Sequence, residues 1–463
     1  MAKLDLPVYI KQELTVTIID LSYQGLGVAK VEGYPLFIEG ALPDEVVDVR
    51  VTKITKHFGY AQALKWQKFS PERVTDVDNR YLQTGIAPLQ HMTYAAQLDF
   101  KRKIVTDLLK KAHLETIAVE KTRGMEHPFA YRNKAQVPVR KIDGQLEIGF
   151  FKHNSHDFIP MDNFLIQDKR IDEVLCSVRD ILREFHIRAY NEVQHSGVVR
   201  HILVRRGYYS KQVMVVIVTR TAHLKYATEI AAKIQSECPD VLSVQQNVNS
   251  AKTNVILGAH TNVIAGTSEI EDQLNGLTFK ISAQSFYQIN PQQTEILYTE
   301  ALKRAELTGD ETVIDAYCGI GTISLNLAKQ AKRVYGVEIV SEAITDAKRN
   351  AAVNGLGNVT FKTGEAEKWM EKWQTKGIKP NVIVVDPPRK GLTNSLIESA
   401  CAMQPDRVVY VSCNPATLVR DIQKFMELGY NVSQPILPVD QFPQTTHVEC
   451  VTVLSRTNLN DWD

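Results

Sequence analysis

Two short stretches carry side chains with chemistry in them: DAYCGIGTISL, residues 315–325, and VVYVSCNPATL, residues 408–418. The first joins the apolar run ETVID to a helix-like run through Gly319 and Gly321, which let the backbone turn tightly and approach a ligand. The second sets the Cys413 thiol after the strand-like RVVYVS and before Asn-Pro, a pair that turns the chain sharply. A thiol nucleophile needs proton chemistry nearby. QTTHVEC supplies His447 and Glu449, two apart on a strand and therefore on one face, and either can act as a base. Glu449 stands between the apolar Val448 and Cys450, surroundings that raise a carboxyl pKa and suit proton abstraction. An ordinary exposed strand start explains the same two residues without chemistry.

These side chains need a scaffold, and from about residue 276 the chain provides one. Apolar strand-like runs (ETVIDAY, KRVYGVEIV, NVTFKTG, NVIVVDPP, DRVVYVS) alternate with helix-like segments, the pattern of an α/β doubly wound parallel sheet. YNVSQPILPV and HVECVTVLSR then follow with only a loop between them, which predicts a terminal antiparallel hairpin. In open α/β sheets the ligand lies beyond the carboxyl ends of the strands. Three acids fall at such ends: Asp315, Glu338 placed to hydrogen-bond ribose hydroxyls, and Asp386 before Pro387 and Pro388. The loop lacks the third glycine of a dinucleotide fingerprint, and no phosphate-binding G-x-x-x-x-G-K-[ST] occurs. Together these features predict an S-adenosylmethionine pocket. The Tyr317 ring can face the sulfonium cation, or it is a core aromatic.

The preceding residues divide in two. Residues 8–65 read as short alternating strands separated by Gly and Pro, which predicts an OB-like β-barrel with Lys53, Lys56, His57, Phe58 and Tyr60 available to RNA. Residues 68–80 are a polar linker, and Leu98, Ile104, Val105, Leu108 and Leu109 mark a helix near 93–114 whose other face is rich in lysine. A solvated helix face accounts for those lysines as well as RNA does. Residues 118–275 read as mixed α+β. FAYRNKAQVPVRK and VVRHILVRRGYYSKQ interleave basic and aromatic residues, and Arg132, Lys134, Arg205 and Arg206 are candidate RNA contacts. Strand alternation alone produces the same texture. The expected domains are therefore 1–66, 67–275 and 276–463.

The chain has 463 residues, 44% hydrophobic and 23% charged, with a net charge of +1, an ordinary globular balance that neither requires nor excludes nucleic acid. No leader-like or membrane-spanning apolar run occurs, so a cytoplasmic enzyme is expected. The six cysteines form no C-x-x-C pair. Cys318, inside the Gly loop, is expected to pack inward, and Cys401 and Cys450 to be structural.

In the order SxQSFYQINP, DAYCGIGTISL, GVEIVSEAI, VVDPPRKG, YVSCNPATL and HVECV, the chain resembles the RNA 5-methyluridine (uracil-5-) methyltransferases with an N-terminal TRAM domain. The resemblance implies a Rossmann-like methyltransferase sheet, with Cys413 as nucleophile and Glu449 as general base. It also implies cofactor contacts from Gln288, Tyr317, Gly319, Gly321, Glu338, Glu365 and Asp386. It favours large-subunit 23S ribosomal RNA as substrate, with transfer RNA second. The chain departs from the family at one point. Many TRAM-bearing members hold an iron–sulfur cluster on four cysteines, three of them just after the barrel, whereas NRYLQTGIAPLQHMTYAAQ contains none. A cluster-free, metal-free, monomeric member is expected, with apolar or hydrogen-bonded packing in place of the cluster. An amino-group methyltransferase is the competing enzyme class, because Asp-Pro-Pro occurs in such loops, but Arg389 stands where they place an aromatic. A non-catalytic RNA-binding protein leaves the Gly loop and the thiol unexplained.

Overall fold

The computed structural model describes residues 6–153 and 155–457. Six strands between Glu13 and Lys68 form the N-terminal β-domain. On Val46–Ile54, Val47, Val49 and Val51 point inward while Asp48 and Arg50 do not, the period of two that a one-sided sheet requires. Its outer surface carries an aromatic triangle, with Phe37, Phe58 and Tyr60 ring centroids 5.6 to 5.8 Å apart and Lys53 over the Tyr60 ring.

Residues 79–97 are held by polar and apolar contacts. The Tyr81 hydroxyl donates to the Asn163 carbonyl (3.2 Å), the Gln90 amide donates to the Asp78 carbonyl (2.6 Å), and Leu89 and Met92 pack with Leu42 and Phe100. The helix Tyr94–Lys111 follows, capped by the Thr93 hydroxyl. Its buried Val105 and Leu109 belong to the catalytic core, so this helix joins the two halves of the molecule.

The central body is a seven-stranded sheet with the helices Lys169–Glu184 and Ala227–Glu237 on one face. Its strand Val213–Thr219 is buried at every residue, because Val213, Val215 and Ile217 meet the helices while Met214 and Val216 meet the catalytic body. A hairpin, Glu269–Leu274 with Leu277–Ser282, turns at residues 275–276. Ile270, Leu274, Leu277 and Phe279 all pack into the catalytic core, so a boundary at 275–276 would cut between paired strands.

The catalytic sheet runs in the order Val359–Thr363, Arg333–Glu338, Thr312–Ala316, Val382–Val385, Arg407–Ser412, Glu449–Arg456, Tyr430–Val432. The first five strands are parallel. Glu449–Arg456 runs antiparallel and is inserted beside Arg407–Ser412, with Tyr430–Val432 and Leu437–Val439 pairing its far edge. The final hairpin therefore completes the sheet and brings its first residue to the carboxyl edge.

Candidate active site

Parallel strands start and stop together, so residues at their carboxyl ends converge. Asp315 closes one strand, buried, with Ser324 donating to its Oδ2 (2.5 Å). Its Oδ1 has no partner among the described residues. Burial, with smaller repulsions from Asp386 and Glu338, pushes its carboxyl up to about 7. Glu338 ends the neighbouring strand and accepts from the backbone N–H of Gly319 (3.3 Å) and Val340 (3.0 Å). Asp386, just past Val382–Val385, is raised by burial to about 7.

The loop between them is shaped for close approach. Gly319 and Gly321 have φ of +54° and +88°, conformations that side-chain-bearing residues rarely adopt. A Cβ on Gly321 would stand 3.1 Å from the Phe361 ring, while the space around Gly319 is open. Tyr317 also sits at positive φ (72°) and packs its half-buried ring against the catalytic core. Such backbone is costly in a non-glycine residue and marks a loop held by its surroundings. Gln288 reaches the same place, beside the Tyr298 hydroxyl, which lies 3.3 Å from Thr322 Oγ1. Phe286, two residues earlier, is 70% exposed. Glu365 follows the edge strand but is exposed and engaged by Lys368 (3.0 Å).

The thiol and its partner face each other through strand register. The last pair of the ladder is Ser412 with Cys450, so one residue further on Cys413 stands against Glu449. Cys413 immediately precedes the Asn414 N-cap of the helix Pro415–Glu427. Asn414 also donates its Nδ2 to the Arg389 carbonyl (2.8 Å), tying the thiol loop to the Asp-Pro-Pro loop. Burial, then repulsion by Glu449 and Asp386, pushes the Cys413 thiol up to about 12, and Arg389 opposes this. The free site therefore favours the thiol over the thiolate. Glu449 is only 4% exposed. Burial, reinforced by Asp386 and opposed by Arg389, raises it to about 8.

The two candidate bases thus differ. His447 precedes the strand, is exposed, and lies 3.4 Å from an Arg389 nitrogen, while Glu449 is buried beside the thiol. Arg389 is the residue that sequence reasoning undervalued: it is the cation acting on Cys413, Glu449 and His447 together. Its position after the prolines carried the signal, since a basic residue there reaches the mouth of the pocket.

The basic candidates separate by face. Lys134 and Arg205 are direct cross-strand partners and so share a face, and Arg205 lies on the same side as Leu203, which packs into the catalytic core. Arg206 points the other way and pairs with Asp168 (2.6 Å), so it is not a free contact on that face. Arg205 is 2% exposed, not a surface residue. Cys318 and Cys450 are buried.

A parallel sheet whose carboxyl edge carries a glycine loop at positive φ, a glutamate bonded to that loop and two buried carboxyls has the build of an S-adenosylmethionine-dependent methyltransferase. The orphaned Asp315 Oδ1 and the open space at Gly319 fit a bound cofactor. Comparison with known proteins narrows the class. The profile of the tRNA (Uracil-5-)-methyltransferase family matches residues 93–457, and that of the TRAM domain matches residues 7–64. The chain belongs to this family of RNA-modifying enzymes. It is 59% identical over 454 residues to an uncharacterized RNA methyltransferase of Lactiplantibacillus plantarum, covering 98% of this chain and 99% of that one. A second, from Enterococcus faecalis, is 50% identical over 451 residues, covering 97% and 98%. Among solved structures, the tRNA (uracil-54, C5)-methyltransferase of Pyrococcus abyssi, in complex with S-adenosyl-L-homocysteine, superposes with a TM-score of 0.77. That match has 27% identity and covers 95% of this chain and 99% of that one. No described helix is long and apolar enough to cross a membrane.

Proposed function

We propose that the protein methylates C5 of a uridine in RNA through a covalent bond between Cys413 and C6 of the ring. The observation that carries this reading is the opposition of a thiol and a buried carboxyl one residue beyond the Ser412–Cys450 pair. Methylation of an amino group has no use for either. C5 of uracil is too weak a nucleophile to take a methyl group unaided. The Cys413 thiolate adds to C6, forming the S–C6 bond and moving the ring π electrons toward C5 and O4 as an enolate. Bound S-adenosylmethionine supplies an electrophilic methyl group. C5 bonds to that methyl, and the electron pair of the broken S–CH3 bond remains on sulfur. The Glu449 carboxylate then removes the C5 proton, the S–C6 bond breaks, and the thiolate leaves. Arg389 favours the initial loss of the thiol proton, because its charge opposes the repulsion from Glu449 and Asp386. The target base must be swung out of any stack to reach Cys413.

The TRAM domain supports large-subunit ribosomal RNA as the substrate, and we propose a cytoplasmic monomer. The likeness to the Pyrococcus abyssi enzyme, which acts on transfer RNA, supports a second reading. One experiment addresses both. The protein is incubated with S-adenosylmethionine and RNA carrying 5-fluorouridine, whose C5 fluorine cannot leave as a proton. We expect an adduct that survives a denaturing gel and disappears in Cys413→Ser. Sequencing the trapped RNA identifies the substrate. Labelled methyl transferred to RNA without any adduct would point to nitrogen methylation and sink the covalent role of Cys413.

A further inference from the structure

The face of the central sheet turned toward the catalytic body carries three cations without counter-charges. Lys134 and Arg205 stand directly opposite each other, and Arg132, two residues before Lys134 and bridged to Gln167, is near enough for its charge to act on Lys134. None forms an ion pair with a carboxylate among the described residues; the nearest acidic pairing on this face, Arg140 with Glu192, is further along the strand. Arg205 spends one guanidinium nitrogen on the Ser285 carbonyl (2.9 Å), while its buried Nε and Nη1 have no partner among the described residues. Burial, then the charges of Arg205 and Arg132, hold Lys134 down at about 7. Proteins rarely leave buried cations unpaired, because desolvation is unfavourable until an anion arrives.

The position of the cluster indicates which anion. Asn133, between Arg132 and Lys134, donates its Nδ2 to the Gln288 carbonyl (3.0 Å), and its backbone N–H donates to the Ile289 carbonyl (2.9 Å). The cluster is thus stitched to the Ser285–Ile289 segment, which bears the exposed Phe286 and leads Gln288 to the cofactor loop. We propose that Arg132 and Lys134, backed by the buried charge of Arg205, form a receptor for one backbone phosphate of the RNA, next to the nucleotide delivered to Cys413. The proposal rests on the reading of the protein as an RNA uridine methyltransferase. It assigns the phosphate to the polynucleotide, and the competing occupant is the carboxylate of the cofactor.

The test compares wild type with Lys134→Gln and Lys134→Met, using as control Lys379→Gln, an exposed lysine just before the strand Val382–Val385 of the catalytic sheet. Binding to total ribosomal RNA and total transfer RNA is titrated against salt, without methyl transfer. Losing one phosphate contact should lower the slope of log K against log salt by about 0.7–0.9 and weaken binding about tenfold near 150 mM salt. Affinity for S-adenosylhomocysteine and the melting temperature should not fall, and removing an uncompensated cation in Lys134→Met should raise the melting temperature. An unchanged salt slope overturns the proposal. So does a tenfold loss of S-adenosylhomocysteine affinity, which would make the cluster a cofactor carboxylate site, or a lowered melting temperature with unchanged RNA affinity, which would make it structural. A lost fluorouridine adduct with the slope difference intact would overturn the C5 chemistry alone.

Discussion

At the scale of single residues, the chemistry turns on how one carboxyl and one thiol are tuned. Both Glu449 and Cys413 are raised in the free site, and both must be deprotonated to act. Single-turnover release of methylated RNA from the adduct at saturating RNA should therefore climb with pH through the region near 8. Glu449→Gln should cut the rate by about 10²–10⁴-fold, the usual worth of a general base. It should also let the Cys413 adduct accumulate on unfluorinated RNA, visible on a denaturing gel. The same carboxyl has a stability signature. Because its folded pKa lies above that of the unfolded chain, the folded protein binds the extra proton between the two values. Glu449 therefore contributes fully below about pH 4.5 and loses that contribution as pH rises through about 8. Glu449→Gln should melt higher than wild type above pH 8 and show a shrinking difference toward pH 5, measured by scanning calorimetry. Arg389→Met should move the pH–rate profile further alkaline, because it removes the cation that favours both charged forms. That Cys413 and Glu449 fall at strand ends, and that Glu449 has apolar neighbours, was legible in the sequence. That the strand of Glu449 is enclosed between Arg407–Ser412 and Leu437–Val439 was not, because strand order is set by partners distant in the chain.

At the scale of elements, the base is set by a polar clamp. Lys101 and Asp440, both fully buried, form an ion pair. The Tyr94 hydroxyl donates to the other oxygen of Asp440 (2.8 Å), and Lys101 also donates to the Phe442 carbonyl (3.0 Å). Gln97 bonds Gln444 in both directions, Tyr131 donates to the Pro443 carbonyl, and Asn290 and Gln441 exchange further bonds. Val439, next to Asp440, pairs with Glu449 in the sheet. The helix Tyr94–Lys111 thus fixes the loop that leads to the strand pairing with Glu449, the proposed base. Removing one partner of a fully buried pair strands the other charge, so Lys101→Met should cost about 3–5 kcal/mol, and Lys101→Met with Asp440→Leu should recover much of it. Equilibrium denaturation measures this coupling. If the clamp also positions Glu449, the double variant should regain stability without regaining the full single-turnover rate. The helix itself was legible from its apolar spacing. Its role was not, because the lysines on its other face read as solvated charges and Lys101 is one of them.

At the scale of the whole molecule, the β-domain, the central sheet and the catalytic sheet were each visible in the sequence through their own periodicity. What the sequence did not reveal was how they join: the hairpin around residue 275 belongs to the catalytic core, and Arg205 and Arg206 part to opposite faces of one strand. Such outcomes depend on tertiary neighbours that a local pattern does not encode. The aromatic triangle of the β-domain lies on its outer surface, and stacking on unpaired bases is worth about 1–3 kcal/mol per base. Phe58→Ala should accordingly weaken RNA binding, measured by filter binding, while leaving S-adenosylhomocysteine affinity intact. The clamp on the general base has one further consequence, in time instead of space. Lys101 and Asp440 are 339 residues apart in the chain. At roughly 5–20 residues per second, a ribosome releases the second some 20–70 s after the first. The strand bearing Glu449 must then enter a sheet beside Arg407–Ser412, which emerged earlier. A half-synthesised chain can thus present its β-domain and basic face to RNA, yet it cannot methylate. On the proposed mechanism turnover waits for the strand that carries Glu449, so an RNA modifier made amid abundant RNA stays silent until that strand has docked.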